Sequence, residues 1–242
     1  MIIKPVKTRV FEEGENLFSF VVEYFKKLPE KSVVVVTSKI VALSEKRTAI
    51  IKDNKTKELL IRKESELAML TKYVWLTIKD GIMMAFAGID ESNANGKLIL
   101  LPKDSFKAAH LLRKKLQKKF NIKKLGVLIT DSHTMPLRSG VIGVALGYAG
   151  FRGIRDYIGT PDIFGRKFKF SRTDVADCLA TGAVLVMGEG NEQQPLAIIE
   201  NAPIEFCNKT NKNELHIDIQ EDMYSPLFPK LDLSLNKDSY EN

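Results

Sequence analysis

The residues best suited to chemistry are three carboxylates, each following an apolar segment and set among glycines and small polar residues. Asp131 closes the branched run Gly126-Val127-Leu128-Ile129-Thr130 and leads into Ser132 and His133, with Pro136 breaking the chain before Arg138. Asp90 lies in Ala87-Gly88-Ile89-Asp90-Glu91-Ser92-Asn93-Ala94-Asn95-Gly96, and Glu189 in Gly188-Glu189-Gly190-Asn191-Glu192-Gln193-Gln194-Pro195. Three carboxylates brought together repel one another unless divalent cations neutralise them. Oxygen donors without a His/Cys cluster favour Mg²⁺ or Mn²⁺ over Zn²⁺. With Lys39 and Arg138 as cations, the set suits a nucleoside triphosphate handled through metals. Each stretch alone has a plainer reading as well. Asp, Asn, Ser and Gly are the usual turn formers, and Ser38-Lys39 lacks the P-loop spacing G-x-x-x-x-G-K followed by Ser or Thr.

These residues need elements to place them. Residues 31–37, KSVVVVT, read as a strand buried on both faces, and so do residues 126–130, a strand expected to stop at Asp131. Residues 40–44 either start a helix or continue the strand before them. Five glycines fall within fourteen residues: Gly140, Gly143, Gly147, Gly150 and Gly153. That density suggests close backbone approach, to a ligand or to another element. A helix is expected after Asn16 and another over residues 56–68. Two strands should turn at Asp80-Gly81, and a short strand at residues 97–101 should precede a basic helix, capped by Asp104 or Ser105 and running to about Phe120. A further helix, capped by Ser171 or Thr173, carries Cys178 as a small core residue, and residues 196–200 form a last strand. The expected organisation is a domain over residues 1–206, of one or two lobes, and a polar extension over residues 207–242 whose last dozen residues are loosely ordered.

A chain of 242 residues with a hydrophobic fraction of 44% has ample material for a core. No run approaches eighteen apolar residues and the start does not read as a secretory signal, so no membrane partner is expected. Two cysteines, Cys178 and Cys207, are too few for a disulfide framework and are expected as reduced thiols in the cytoplasm. The net charge of +7 invites a nucleic-acid partner, with Arg113, Lys114, Lys115, Lys118, Lys119, Lys123 and Lys124 close together. Leu111, Leu112, Leu116 and Phe120 recur at helical spacing through the same run, so a solvated helix face explains the charge. A nucleic-acid partner would leave Asp90, Asp131 and Glu189 without a purpose. A basic surface equally steers an anionic small molecule.

The order and spacing of TSKIVALSE, AFAGIDESNANG, ITDSHTMPLRSGVIGVALGYAG, DIFGRKF and VMGEGNEQQP resemble the coenzyme F420-0:L-glutamate ligase family, the γ-glutamyl ligases, over residues 9–200. The resemblance implies an α+β, mixed α/β fold, with mixed sheets, flanking helices and no P-loop, in an intertwined homodimer. It implies an enzyme that joins L-glutamate to a carboxylate of a deazaflavin precursor, using GTP and two divalent cations, Mg²⁺ or Mn²⁺. Position by position, it implies that Asp90 and Asp131 hold one metal, with Ser132 and Glu189 at a second. Ser38, Lys39 and Asn93 match nucleotide-contacting positions. More loosely, so do Arg9 and the run Met187, Gly188, Gly190, Asn191, Glu192, Gln193 and Gln194.

Departures from the family pattern are equally informative. Ser132 stands where members often have Thr, Glu189 where they often have Gln, and Leu43 where many carry a second lysine. The usual T-D-S/T-F-G-R-P-W-R-N-G is here TDSHTMPLRSG. His133, Thr134, Met135, Leu137 and Ser139 depart from it while Arg138 is retained. These departures fall where an acceptor could bind, so a folate or a growing glutamate chain stands beside the deazaflavin as acceptor, and ATP beside GTP. The expected chemistry is amide ligation through an acyl phosphate, with Arg138 and the metals stabilising the transferring phosphoryl group. His133 is either a base for the glutamate amine or a structural hydrogen-bonding group in the turn. A homologue that keeps nucleotide binding and has lost ligation is the remaining alternative.

Overall fold

The computed structural model describes residues 1–227. The last dozen residues, expected to be loosely ordered, lie outside them. The described chain falls into two units, Met1–Lys46 with Pro102–Leu215, and Arg47–Leu101 with the residues from His216 onward. In chain order the first unit begins with β1 (Ile2–Val6), α1 (Leu17–Tyr24), β2 (Ser32–Thr37) and α2 (Ser38–Ser44). The second unit supplies β3 (Thr48–Ala49), α3 (Asn54–Glu64), β4 (Leu67–Leu70), β5 (Trp75–Lys79), β6 (Ile82–Ala85) and β7 (Leu98–Ile99). The chain then returns to the first with α4 (Ser105–Phe120), β8 (Leu125–Thr134), β9 (Val141–Ala149), β10 (Ile154–Asp156), β11 (Arg172–Asp174), α5 (Val175–Met187) and β12 (Leu196–Glu200). The fold is thus mixed α+β.

The first unit is built on a five-stranded sheet in the order β1-β12-β2-β8-β9. Only β2 and β8 run parallel. Helices cover both faces, which is why the valine run of β2 and the branched run of β8 lack polar alternation. Val34, Val36, Val127 and Ile129 pack with α1, α2 and α4. Val33, Val35 and Leu128 pack with α5 on the other face. Residues 40–44 belong to the helix, not to a continuing strand.

β8 does not stop at Asp131. Its parallel partner β2 ends at Thr37, opposite Thr130, but β9 continues the antiparallel ladder through Thr134 and Val141. Loss of one neighbour exposes the strand from Asp131 onward without ending it. The ladder also carries an irregularity: Ile129 pairs with Gly147, whereas Thr130 pairs with Ala145. Leu146 is therefore an extra residue, a β-bulge. On either side of it the glycines meet helices. A side chain at Gly147 would strike the backbone of Ser105 and Phe106 in α4, and one at Gly143 the backbone of Ala180 in α5. Close packing of helices on the edge strand accounts for both glycines.

Three further expectations are corrected. The cap of α5 is Asp174, whose carboxylate accepts the Asp177 N–H at 2.9 Å, in place of Ser171 or Thr173. Cys178 is exposed on α5, not a core residue, and both cysteines are free thiols. Arg113 is not part of a solvated face. It is buried on α4 and donates Nε to the Leu125 carbonyl at 2.7 Å and a terminal nitrogen to Asn208 Oδ1 at 3.2 Å. Burial holds its pKa below the usual guanidinium range. Residues beyond Phe206 also join this unit: Cys207 donates its N–H to the Gly150 carbonyl, and Glu214 accepts from Tyr148 Oη at 2.7 Å and the Gly153 N–H at 2.6 Å.

The second unit holds a three-stranded antiparallel sheet, β4-β5-β6, beside the short pair β3-β7. Its hairpin turns at Asp80 and Gly81, both at positive φ, as a type I′ turn requires. α3 ends at Glu64 and not at Ala68, because Leu67–Leu70 pair with β5. Ile61, Ile89, Leu98 and Leu100 form its small core.

Candidate active site

Strand register gathers most of the candidate residues at one end of the first unit's sheet. β2 runs into α2 there, so Ser38 and Lys39 follow directly on Thr37, which sits opposite Thr130, the neighbour of Asp131. Thr37 donates its N–H to the Pro195 carbonyl at 3.0 Å, and Thr8 donates to the Gln193 carbonyl at 2.9 Å. These two bonds bring residues 188–195 alongside Ser38 and the start of the chain at Arg9. α5 completes the arrangement. Thr181 donates its hydroxyl to the Gly143 carbonyl at 2.8 Å, beside Ser132, and the helix ends two turns later at Met187. Arg9, Ser38, Lys39, Asp131, Ser132 and the 187–194 loop thus share one region. Asp90 and Asn93 belong to the second unit.

Alternation along β8 directs Asp131 and Ser132 to opposite faces. Gly143, opposite Ser132, is the residue that abuts α5, so Ser132 faces the helix that leads to Glu189. Asp131 faces the side of α2 and Lys39. Next to it, Thr130 Oγ1 is fully buried and has no hydrogen-bond partner among the described residues.

The loop residues vary in availability. Ser38 is buried and Lys39 half-buried, whereas Glu189, Gly190, Asn191, Glu192 and Gln193 are exposed and Gln194 is half-buried. Met187 is packed in the core, so any ligand contact it makes is through its backbone. Gly188, at φ +83°, ends α5 in a conformation that other residues rarely adopt. The Glu192 carboxylate turns back on its own loop and accepts the Gly190 N–H at 2.8 Å. Arg9 grips Glu15 through both terminal nitrogens, at 2.9 Å each, and reaches Glu23 at 3.3 Å. Its guanidinium serves the fold as it stands.

Arg138 sits on the exposed connection between β8 and β9 and makes no side-chain hydrogen bond or ion pair among the described residues. Leu137 beside it, at φ +58°, is fully exposed. His133 is half-buried on β8, and burial lowers its pKa against a smaller upward pull from Asp177. In the second unit Asp90 is pinned by a two-way backbone bridge to Ile99, at 2.9 Å each way, and its carboxylate accepts the Ser92 N–H at 2.6 Å and hydroxyl at 2.9 Å. Asn93 is exposed at φ +53°.

The donors are all hard oxygens, which fits Mg²⁺ or Mn²⁺. Among the described residues no three His, Cys, Asp or Glu side chains form a ready metal cage. Mg²⁺ does not need one, since it keeps waters and uses one or two carboxylates together with substrate phosphates.

The sequence did not point to Asp174 and Asp177. Asp177 Oδ1 accepts the Ala145 N–H at 2.8 Å, fixing α5 to β9, while Asp174 caps the helix. Burial first, and the neighbouring Asp177 charge second, push the Asp174 pKa up to about 6. An Asp-x-x-Asp spacing before an apolar helix is an N-terminal signature in its own right.

A family model described as F420-0:γ-glutamyl ligase matches residues 5–201. The coenzyme F420:L-glutamate ligase of Methanococcus maripaludis is 35% identical over 215 residues, 81% of this chain and 86% of that protein. The enzyme of the same name from Methanocaldococcus jannaschii is 36% identical over 158 residues, 65% of this chain and 63% of that protein. The one from Archaeoglobus fulgidus is 28% identical over 232 residues, 88% of this chain and 92% of that protein.

Proposed function

The chain belongs to the F420-0:γ-glutamyl ligase family, and from that premise we propose that it is a ligase joining L-glutamate to a carboxylate acceptor with a nucleoside triphosphate. The observation that carries this reading is the convergence, in one unit, of Ser38-Lys39, Asp131-Ser132 and the loop after α5. Phosphate-binding and metal-binding groups are needed at one place for phosphoryl transfer. GTP is the proposed triphosphate, and F420-0 or coenzyme F420 is the proposed acceptor, in keeping with the names of the family and of these relatives.

In this reading Lys39 and the backbone of residues 188–194 hold the phosphates. Asp131 holds one Mg²⁺ or Mn²⁺, and Ser132 and Glu189 hold another. The opposite facing of Asp131 and Ser132 supports two separate ions. When bound, the ions neutralise charge on the phosphate oxygens. Arg138, on a loop free of side-chain partners among the described residues, swings to the transferring phosphoryl group as the acceptor carboxylate attacks it. The resulting acyl phosphate is then attacked by the glutamate amine, which expels phosphate. His133, kept neutral by burial, takes the amine proton.

Exposed large apolar side chains on α5 and on the 157–171 loop, Leu185, Ile163, Phe164 and Phe170, support a homodimer. No helix among the described residues is long and apolar enough to cross a membrane. The two free thiols suit a reducing, cytoplasmic setting.

The test is phosphate release and product mass with Mg²⁺ or Mn²⁺, GTP or ATP, L-glutamate, and each candidate acceptor in turn. One or more glutamyl units added to a deazaflavin acceptor is the expected product. Glutamate addition to a folate or to a glutamate chain alone would reassign the acceptor. No turnover with any acceptor would overturn the ligase reading.

A further inference from the structure

The first unit contains a cleft of about 990 Å³, bounded by β10, β11, the start of α5 and residues 203–205. It is set apart from the candidate active site. The chain leaves β9 for β10 at Ala149, which pairs with Val127, four strand residues or about 13 Å from Asp131.

Three arginines face this cleft, and two of them are held in the same unusual way. Arg152 donates only its Nε, to Glu205 at 3.1 Å, and Arg172 only its Nε, to Asp156 at 3.1 Å. Neither uses its two terminal nitrogens in a hydrogen bond among the described residues. Each guanidinium is therefore steadied along one edge while its two-pronged end stays open. Arg155 is committed instead, through its terminal nitrogens, to the Pro203 carbonyl and Tyr157 Oη. Glu214 is committed to Tyr148 and Gly153. The Arg152–Glu205 and Arg172–Asp156 pairs are about half exposed or more, so they yield readily to a ligand.

We propose that this cleft binds a ligand with two separated carboxylates, of the kind found at the end of a γ-linked glutamyl chain. A planar, two-pronged guanidinium matches a carboxylate in paired hydrogen bonds. Arg172 lies across from Asp156, four residues from Arg152, so the two forks start up to about 13 Å apart, a spacing that lets them address two separated anionic groups. Ile154, Val175 and Ile204 offer apolar surface to methylene groups, and Asp156 and Glu205 offer partners for an ammonium. The choice of a glutamyl chain rests on the ligase reading; recognition of two carboxylates does not.

The test is calorimetric titration of the full chain, without nucleotide or metal, using γ-glutamylglutamate, glutarate and inorganic phosphate. The expected result is saturable binding of glutarate and of γ-glutamylglutamate, whose terminal residue carries two carboxylates, with phosphate at least tenfold weaker. Arg152→Met and Arg172→Met should each weaken dicarboxylate binding at least tenfold. Arg172→Lys should fail to restore it, because an ammonium lacks the fork. Thermal melts should be unchanged, since both side chains are largely exposed. Absence of saturable binding, equal affinity for phosphate, or indifference to both arginine variants would overturn the proposal. A failed ligase reading would show separately, as absent product with dicarboxylate binding intact.

Discussion

The Asp177 carboxylate accepts the backbone N–H of Ala145 at 2.8 Å, across from Thr130 and one position from the pair Asp131–Val144. One side chain thereby ties the first turn of α5 to the edge strand that supports Asp131. Asp177→Ala should cost about 2 kcal/mol, the usual scale for a hydrogen bond to a charged group whose buried partner is left unsatisfied. Urea unfolding would measure it. A loss below about 0.5 kcal/mol would show that the bond is dispensable.

Asp174 gives a stability change of unusual sign. Its folded-state pKa of about 6 lies above the ordinary aspartate range, so the native state binds the proton more tightly than the unfolded chain. Its contribution is fully favourable below about pH 4 and is lost as pH rises to about 6. Asp174→Asn keeps a capping side chain and removes that dependence. The variant should equal or exceed the parent in stability at pH 8 and fall relative to it at pH 4, in thermal melts across that range.

Asp131→Asn should remove triphosphate-dependent turnover by at least about a hundredfold, through lost metal binding, while leaving the melting curve intact. Asp131 is half-exposed, and asparagine keeps its shape and a hydrogen-bonding oxygen there. Retained activity would dismiss Asp131 as a metal ligand.

Gly143→Ala and Gly140→Ala separate packing from backbone strain. The first puts a methyl group into the Ala180 carbonyl; the second meets open space at φ +93°. Gly143→Ala should cost about 3 kcal/mol and Gly140→Ala about 1 kcal/mol. Equal costs in chemical denaturation would argue against the α5 contact.

Phe164→Asp should shift light-scattering mass toward a single chain if the exposed apolar loop between β10 and β11 is the dimer contact. Unchanged mass would place self-association elsewhere.

How much of this was legible in the sequence differs by element. The valine run of β2, the Asp80-Gly81 hairpin and the Asp104 cap of α4 each carry a local signal, and each forms where that signal lies. β8 beyond Asp131 could not be read in that way. Its continuation depends on pairing with β9, and half-exposed polar residues look the same in a turn. Cys178 and Arg113 were misjudged because a helical pattern gives the period of burial and not its phase at one residue. The candidate site was legible as three loops, but the approach of the Glu189 loop to the Asp131 strand depends on the Thr37–Pro195 and Thr8–Gln193 bonds, between residues far apart in sequence, and the Asp90 loop belongs to the second unit. The Arg152–Arg172 cleft draws on segments more than fifty residues apart and has no sequence signature.

The bulge at Leu146 sets a rule of parity. In a regular strand residues four apart share a face, yet Gly143 meets α5 and Gly147 meets α4, on opposite sides of the sheet. The extra residue reverses the count. Removing Leu146 alone would turn the Gly143 end of β9 over, aiming the glycine away from α5 and a side chain at that helix. Near the bulge β9 can therefore gain or lose residues in twos but not singly, a constraint on descent that no comparison of side-chain types would disclose.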